Sequence, residues 1–372
     1  MMIHYDCRHF LGYKPCAFRR LCEGCPHYQP AGKRILVIKL AAPGDVLRTT
    51  PLLRGLRQAD PDAHITWLTE LRAMPLLAGL SEIDRLLPYS FETVIPLLHE
   101  NFDVLYCFDK EPKAIGLAME ANAKERIGFG MERHGKVMPL NRSSEYMFEL
   151  GIDDHLKFRV NSKTYPEMIF ECAGLSYPEP QEYILPDLSA EIDAGRDLLE
   201  RLGVAQGKAK IGLNTGASDV FATKKWTEDG YAELADLLDE KLGAAVLLLG
   251  GPAEAGRNAR IAAKATRAPV NTGTGHSMRN FAGIIANLDL LVTGDTLPMH
   301  IAIGLKVPVL AIFGATCHQE IELYGRGAKI ISDFECSPCY LGICPKRPTC
   351  MQALPAARVF KAVEDLIAKL RA

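Results

Sequence analysis

The chain has 372 residues, a length that predicts two domains with a small appendage. Its apolar share of 48% and charged share of 24% exclude a disordered or collagen-like protein, and its net charge of −2 excludes a global field that would draw it onto nucleic acid. Neither a secretory signal nor an apolar run of the ~20 residues that span a membrane stands out. We therefore expect a cytoplasmic protein whose thiols stay reduced.

Predicted strands and helices alternate in the first half of the chain. Apolar runs predict strands over residues 35–40, 64–70 and 102–108, and an amphipathic pattern predicts one helix over residues 46–59. Continuous apolar strands separated by helices indicate a parallel sheet that is covered on both faces. The pattern weakens over residues 120–165, where charges and glycines are frequent.

Three prolines within nine residues, at 178, 180 and 186, predict a linker between two domains. The α/β pattern then restarts. Strands are predicted over residues 210–214, 244–250, 288–294 and 307–314, and helices over residues 228–241, 254–265, 278–286, 298–304 and 356–372. We therefore predict two Rossmann-like, doubly wound α/β domains, with a ligand bound in the cleft between them at the carboxyl ends of the strands.

The turn after the first predicted strand places Asp45 at the carboxyl end of a strand and the start of a helix. A carboxylate in this position commonly caps the helix, and a catalytic role facing the cleft is the alternative. Arg48, one turn later, suits an anionic substrate as well as a solvated surface. The residues alone leave both alternatives open.

The turn after residues 210–214 has the composition of a phosphate-binding loop. Small and hydroxyl residues at 215–218 (TGAS) let backbone amides approach a phosphate, and Lys224 and Lys225 follow to neutralise it. A surface loop with two solvated lysines explains the pattern equally well.

The turn after residues 288–294 carries Asp295 and Thr296 at a predicted helix start, beside the turn that carries Glu254. The amides and dipole of a helix start favour a diphosphate, and a nearby carboxylate can accept ribose hydroxyls. His300 lies one turn further on, where we expect a ligand contact rather than the more common buried core histidine.

Four motifs in order and spacing resemble glycosyltransferase family 9, the ADP-heptose:lipopolysaccharide heptosyltransferases. They are ILVIKLAAPGDVLRTTPLL, TGAS followed by TKKW, LGGPAE, and TGDTLPMHIAIGLKVPVLAIFG. The resemblance implies a GT-B fold, inversion at the anomeric carbon and no catalytic metal. It also implies an acceptor-binding domain over residues 33–180, a nucleotide-sugar-binding domain over residues 181–355, and a final helix, residues 356–372, that packs back on the first domain.

Carried over residue by residue, the resemblance makes Asp45 the general base and Lys224 the group that stabilises the leaving diphosphate. The implied donor-binding residues are Thr215, Ser218, Lys224, Glu254, Asp295, Thr296 and His300. Leu297 stands where the family commonly has glycine, which allows closer approach of backbone to a ligand.

Eight cysteines form two sets outside these motifs. Residues 1–32 form a predicted metal-binding extension with the first set, and each set contains one C-x-x-C pair, a spacing that suits one tetrahedral ion. We rank structural zinc first, an iron–sulfur cluster second and unligated thiols third. The iron–sulfur cluster stays open because proline follows one cysteine of each set. We also expect both sets to meet in one metal-tied clasp across the chain ends. The sets are Cys7, Cys16, Cys22 and Cys25, and Cys336, Cys339, Cys344 and Cys350.

The resemblance implies transfer of a heptose from ADP-heptose to a lipid A–Kdo type acceptor of lipopolysaccharide, with no nucleic-acid partner. The first 34 residues contain six basic and two acidic residues, and a second basic cluster lies over residues 126–142. These charges suit contact with an anionic acceptor or with the cytoplasmic face of the inner membrane. Solubility is the commoner reason for such charges. One alternative is a transferase that uses a UDP- or GDP-sugar and a different glycan acceptor. The other is a non-catalytic, metal-clasped binding module.

Overall fold

The computed structural model describes residues 1–40, 42–217 and 219–371, and these residues form two six-stranded sheets. The strands of the first sheet are β1 (Arg34–Ile38), β2 (His64–Thr69), β3 (Arg85–Pro88), β4 (Asn101–Cys107), β5 (Asn122–Met131) and β6 (Val137–Pro139). Those of the second are β7 (Lys210–Asn214), β8 (Ala245–Leu249), β9 (Val270–Asn271), β10 (Leu290–Gly294), β11 (Val309–Phe313) and β12 (Gly327–Ile331).

Twelve α-helices within the described ranges cover these sheets. They are α1 (Pro43–Thr49), α2 (Leu52–Ala59), α3 (Phe91–Leu97), α4 (Pro112–Glu120), α5 (Glu145–Glu149), α6 (Tyr165–Cys172), α7 (Ser189–Arg201), α8 (Glu228–Leu242), α9 (Ala255–Lys264), α10 (Met278–Ala286), α11 (Leu297–Gly304) and α12 (Ala356–Arg371). No helix of the described chain is both long and apolar enough to cross a membrane.

Both sheets have the same doubly wound order. The first runs β3-β2-β1-β4-β5-β6, with β6 antiparallel to its neighbour, and the second runs β9-β8-β7-β10-β11-β12 with every pair parallel. In each sheet the strand order reverses beside its first strand, between β1 and β4 and between β7 and β10. Loops diverge at such a point and leave a crevice at the carboxyl ends of the strands, where ligands bind in folds of this type.

The helix predicted over residues 46–59 is two helices. The first ends at Thr49 and the second begins at Leu52, so that Pro51 lies between them. Proline lacks an amide hydrogen, so the hydrogen-bond pattern of the first helix is interrupted there although the backbone keeps helical dihedral angles. The unpatterned segment from 120 to 165 contributes β5, which pairs in parallel with β4.

The prediction that the final helix packs back on the first domain is wrong. The buried face of α12, which includes Val359, Val363 and Leu366, packs in one apolar cluster with β7, α8 and β11 of the second sheet. The apolar residues of α12 recur at helical spacing and cover strands of the second sheet that would otherwise be exposed to water. The helix therefore buries its apolar face on the second sheet and not on the first.

Candidate active site

A cleft of about 790 Å³ lies between the two halves, where loops from both sheets meet. Loops at the carboxyl ends of β1, β7, β8, β10 and β11 line it, which is the place that the strand order predicts. The cleft brings together most of the side chains singled out from the sequence: Asp45, Lys224, Glu254, Asp295, Thr296 and His300.

Asp45 is not a helix cap. Because α1 begins at Pro43, Asp45 lies within its first turn, and its carboxylate pairs with the guanidinium of Arg48 at 2.8 Å. Burial alone would raise the pKa of Asp45, but the positive charges of Arg48 and Lys39 outweigh it and hold the pKa below its ordinary value. The side chain is 37% exposed, so an ionised carboxylate faces the cleft at neutral pH.

Arg48 joins the two halves of the molecule beside this carboxylate. Its guanidinium also pairs with Glu320 of the second half at 3.4 Å, and it lies 3.7 Å from the centre of the Tyr165 ring. The Tyr165 amide donates to the Glu320 carbonyl at 2.9 Å, which fixes the acid against the first half. Sequence reasoning left Arg48 undecided and missed Glu320, since their pairing joins residues 272 positions apart.

A second buried pair lies behind Asp45. The ammonium of Lys39, at the end of β1, pairs with Asp109, at the end of β4, and the same carboxylate accepts from the Leu40 amide. Desolvation opposes the charge on Lys39, yet Asp109 raises its pKa. This fixed positive charge contributes to keeping Asp45 ionised.

His300 packs between the halves, where it is buried and also borders the cleft. Its Nδ1 lies 3.4 Å from the hydroxyl of Tyr183, and a Cβ on Gly44 would lie 2.7 Å from its Cδ2. Burial lowers the pKa of His300 to about 4, and Arg48 acts in the same direction, so the ring is neutral at neutral pH. His300 therefore serves as a neutral hydrogen-bonding group at the cleft.

Lys224 and Asp295 face each other in the second half. The Lys224 ammonium donates to the Asp295 carboxylate at 2.9 Å and to the Asp295 carbonyl at 3.3 Å. Burial alone would raise the pKa of Asp295, but the charge and hydrogen bond of Lys224 hold it below its ordinary value. A cation and the start of the eight-residue helix α11 thus meet at one point, which suits an anionic ligand group.

Two glycines make room for Glu254. A Cβ on Gly216 would lie 2.5 Å from the Glu254 carboxyl carbon, and a Cβ on Gly250 would lie 2.6 Å from its Cβ. The carboxylate accepts from the amide of Gly251 at 3.0 Å and borders the cleft. Its placement beside the turn after β8 suits recognition of ribose hydroxyls.

Two predicted donor-binding residues stand apart from this group. Thr215 is buried beneath the cleft, and its hydroxyl donates to the Asn258 side chain at 2.5 Å, so the prediction that it faces the donor is wrong. Thr215 is the first residue after β7, and its side chain points toward α9, which carries Asn258. Ser218 lies outside the described residues, and its role stays a prediction.

Tyr340 also lines the cleft and was missed. Its ring stacks on Phe158 of the first half, 5.4 Å between centres, and the ammonium of Lys157 lies 4.0 Å from the ring centre. No pattern in the sequence marks it, because it belongs to the irregular segment that holds the second cysteine set.

The two cysteine sets do not meet, so the predicted single clasp is wrong. The first set lines one cavity of about 450 Å³, and its segment docks through Arg8 on Asp62 and Asp84, at the amino ends of β2 and β3. The second set lines another cavity, of about 240 Å³, beside Gly314 at the carboxyl end of β11. The two segments therefore attach to different sheets, at opposite strand ends. Within the described ranges, no three His, Cys, Asp or Glu side chains are gathered closely enough to hold one ion.

The chain resembles known proteins in both sequence and structure. Residues 96–348 match the model of glycosyltransferase family 9 (heptosyltransferase), a stretch that contains Lys224 and Asp295 and begins after Asp45. The chain is 26% identical over 327 residues to lipopolysaccharide heptosyltransferase 1 of Pseudomonas aeruginosa, covering 85% of this chain and 88% of that protein.

Solved structures show the same fold. A family 9 glycosyl transferase of Veillonella parvula aligns with a TM-score of 0.71 at 20% identity, covering 91% of this chain and 98% of that one. The ADP-heptose lipopolysaccharide heptosyltransferase II of Escherichia coli aligns with a TM-score of 0.67 at 19% identity, covering 91% of this chain and all of the other.

Proposed function

Since the chain belongs to glycosyltransferase family 9, we propose that it transfers a heptose from ADP-heptose to the inner core of lipopolysaccharide, with inversion at the anomeric carbon. One observation carries the proposal: the ionised carboxylate of Asp45, from the first half, lies in the same cleft as Lys224 and the start of α11, from the second half. Relatives named for heptose transfer to lipopolysaccharide support this choice of substrates.

The first half supplies the base. Asp45 accepts the proton of the acceptor hydroxyl while that oxygen attacks the anomeric carbon, from the face opposite the diphosphate. Its carboxylate is ionised and oriented by Arg48 before the acceptor arrives. A well-placed general base contributes about 10²- to 10⁴-fold in rate.

The second half holds the donor. As the bond from the anomeric carbon to the diphosphate oxygen breaks, the departing ADP gains negative charge, which Lys224 and the amides at the start of α11 stabilise. We assign Thr296 and His300 to the same donor turn, Ser218 to the diphosphate and Glu254 to the nucleoside. No step requires a catalytic metal. Leu297 packs on the core and borders the cleft.

We assign the acceptor to residues 33–180 and the nucleotide-sugar to residues 181–355. We place the enzyme at the cytoplasmic face of the inner membrane, where a lipid-linked acceptor is made. Arg126 of the second basic cluster is occupied, since it donates to the carbonyls of Ala118, Ala121 and Ala123 near the end of α4. We propose the basic extension of residues 1–32 as the segment that contacts anionic lipid.

The donor chemistry of each cysteine set suits a structural metal ion, because four thiols line one cavity and thiolates bind zinc or an iron–sulfur cluster, but these side chains would have to move closer together to hold one. Backbone amides support the thiolate form in the first set, where hydrogen bonding from Phe18 lowers the pKa of Cys16. We propose structural zinc at both sets, with an iron–sulfur cluster as the alternative.

A panel of ADP, UDP, GDP and CDP against the purified protein tests the donor. A ligand at 100 times its dissociation constant adds about 2.7 kcal/mol to the free energy of unfolding, which raises the melting temperature. We expect a rise with ADP alone. A rise with UDP or GDP alone would move the enzyme to another nucleotide-sugar, and no rise with any nucleotide would favour a non-catalytic binding module.

Replacing Asp45 by Asn tests the base. The change keeps size and removes the proton-accepting charge, so we expect kcat to fall about 10²- to 10⁴-fold. ADP affinity, measured by calorimetry, should stay close to that of the wild type because Asp45 belongs to the acceptor side. Loss of ADP binding together with activity would contradict the assignment and make Asp45 a structural residue.

A further inference from the structure

Two lysines of the first half, Lys110 and Lys157, carry charges that no carboxylate of the described chain neutralises. The ammonium of Lys110 donates to the Met147 carbonyl at 2.5 Å and lies 4.6 Å from the centre of the Phe129 ring. The ammonium of Lys157 lies 4.0 Å from the centre of the Tyr340 ring. Both side chains are half-buried. A half-buried cation that lacks a counter-charge costs free energy unless a ligand supplies that charge.

The neighbouring Lys113 shows the contrast. It lies three residues after Lys110, and its ammonium pairs with the carboxylates of Glu70 and Glu111. Carboxylates are therefore available to lysines in this part of the first half. The lack of a counter-charge is a property of Lys110 and Lys157 themselves.

The two ammonium groups lie close enough to repel each other. Burial lowers the pKa of Lys110 to about 8, Lys157 acts in the same direction, and Glu320 opposes them without restoring the ordinary value. The Lys110 ammonium still carries its charge at neutral pH, since its pKa lies above 7. The carboxylate of Glu320 is paired with Arg48 instead. An anionic group placed between the two lysines would relieve their repulsion and gain from both charges.

Lys110 lies at the edge of the first sheet that carries the proposed base. It directly follows Asp109, which pairs with Lys39 behind Asp45. A Cβ on Gly151 would lie 2.8 Å from the ammonium nitrogen of Lys110, so this glycine leaves the space that the ammonium occupies. The cation therefore has a place of its own on the acceptor side of the molecule.

Lys157 reaches the cleft from a π-helical turn, Leu156–Val160. Its carbonyl accepts from the Gln319 side chain at 2.9 Å, and its ammonium faces Tyr340, which lines the cleft. The ring of Phe158, the next residue, stacks on the same tyrosine with 5.4 Å between centres. Contacts with the second half thus fix the backbone of Lys157 and leave its ammonium beside the cleft wall.

We propose that Lys110 and Lys157 form a subsite for an acidic group of the acceptor, a carboxylate or a phosphate. The inference rests on the proposed function, because the acceptor is the second substrate of that reaction. Ammonium groups form strong, charge-assisted hydrogen bonds with both kinds of anion. An acidic group held here would keep the acceptor in the first half, on the same side of the cleft as Asp45. Both lysines are binding residues, and neither takes part in the chemical step.

Acceptor kinetics of Lys110→Met and Lys157→Met test the subsite. Methionine keeps an unbranched apolar stem and removes the charge. The substrates are ADP-heptose and lipid A that carries Kdo. We expect each change to raise the acceptor KM at least about tenfold, as the loss of a hydrogen bond between charged groups should. The donor KM, and kcat at saturating acceptor, should stay within about twofold of the wild type, because only acceptor binding is lost.

Lys124→Met is the matched control. Lys124 belongs to the same half, pairs with Asp103 at 2.7 Å, and lies near the amino ends of β4 and β5, away from the cleft. Its replacement should leave the acceptor KM unchanged. An unchanged acceptor KM in Lys110→Met and Lys157→Met overturns the proposal, as does an equal increase in Lys124→Met.

Urea unfolding separates ligand binding from a structural role. Removing a half-buried charge that lacks a counter-charge should not destabilise the folded protein. We therefore expect the free energy of unfolding of Lys110→Met to equal or exceed that of the wild type. A rise in the acceptor KM that comes with a loss of stability would make Lys110 a structural residue and overturn the proposal.

Binding of small anions tests the subsite without catalysis and identifies the acidic group. Free Kdo, which carries a carboxylate, and inorganic phosphate are each titrated into the wild type and into Lys110→Met/Lys157→Met, and binding is followed by ligand-observed NMR. We expect the wild type to bind at least one anion and the double variant to bind neither. Binding of Kdo assigns the subsite to a carboxylate, and binding of phosphate alone assigns it to a phosphate group.

Equal binding by the two proteins, or binding of neither anion by the wild type, overturns the proposal. A wild type that binds an anion through these lysines but transfers no heptose contradicts the proposed function instead.

Discussion

Asp45 owes its ionised state to two cationic neighbours. Arg48 lies on the same helix, and Lys39 directly follows the strand before that helix. Arg48 is in turn held by Glu320 and the face of Tyr165. The proposed base is therefore ionised and oriented by its surroundings before any substrate binds, which would favour catalysis at neutral pH.

His300 makes the free energy of unfolding depend on pH in a way that can be tested. Its pKa is about 4 in the folded protein because burial disfavours the charged ring, whereas an unfolded histidine titrates near 6.5. Between these values the unfolded state takes up a proton that the folded state does not. The free energy of unfolding should therefore fall by about 3 kcal/mol from this residue as the pH drops from 7 to 4.

Replacing His300 by Gln removes that contribution. Urea unfolding at pH 7 and pH 4 should show that the variant gains about 3 kcal/mol relative to the wild type on acidification. Parallel pH profiles for the two proteins would show that His300 is not buried and neutral.

At the scale of elements, α12 shows which sheet an amphipathic helix covers. Its apolar face packs on α8, β11 and β12, the elements that precede it in the second half. The helix therefore completes the second sheet and does not bridge to the first.

Two leucines of α12 test this packing. Leu366 is 2% exposed and Leu370 is 41% exposed on the same helix. Leu366→Ala should lower the free energy of unfolding by about 2–5 kcal/mol through lost burial and a cavity. The control Leu370→Ala should change it by less than about 0.5 kcal/mol in the same denaturation experiment. Equal effects would mean that this face of α12 is not buried on the second sheet.

At the scale of the whole molecule, the two halves contact each other through the helices that follow β1 and β10. Leu47 of α1 and Leu76 join the apolar cluster of the second sheet, and α1 lies against α11. The approach is close at Gly44, where a side chain would meet the His300 ring. The cleft is thus closed at its base by apolar contact and lined above by charged groups.

Gly44→Ala should disturb this contact. An added methyl group would lie 2.7 Å from a ring that Tyr183 backs, so we expect a loss of about 1–3 kcal/mol in the free energy of unfolding. Gly275→Ala is the control, since its Cβ would meet nothing within 4 Å. If both variants were as stable as the wild type, the halves would not be held together in this way in solution.

Much of the site could be predicted from sequence because parallel strands fix where their following turns lie. The strands over residues 210–214 and 288–294 were predicted within two residues of their observed ends, so Lys224 and Asp295 were expected at the right edge of the sheet. Thr215 was assigned to the same edge, yet it turns to Asn258. Periodicity places a turn, but it does not say which way each side chain of the turn points.

The sequence by itself determined the two sheets, their carboxyl-end turns and the family, because apolar periodicity and turn chemistry are local properties of the chain. Only the tertiary structure decided that Arg48 pairs with both Asp45 and Glu320, that His300 is neutral between the halves, that α12 completes the second sheet, and that the cysteine sets lie apart. These features depend on contacts between residues far apart in sequence, up to 272 positions for Arg48 and Glu320. Their burial and charge are set by packing, which no local pattern encodes.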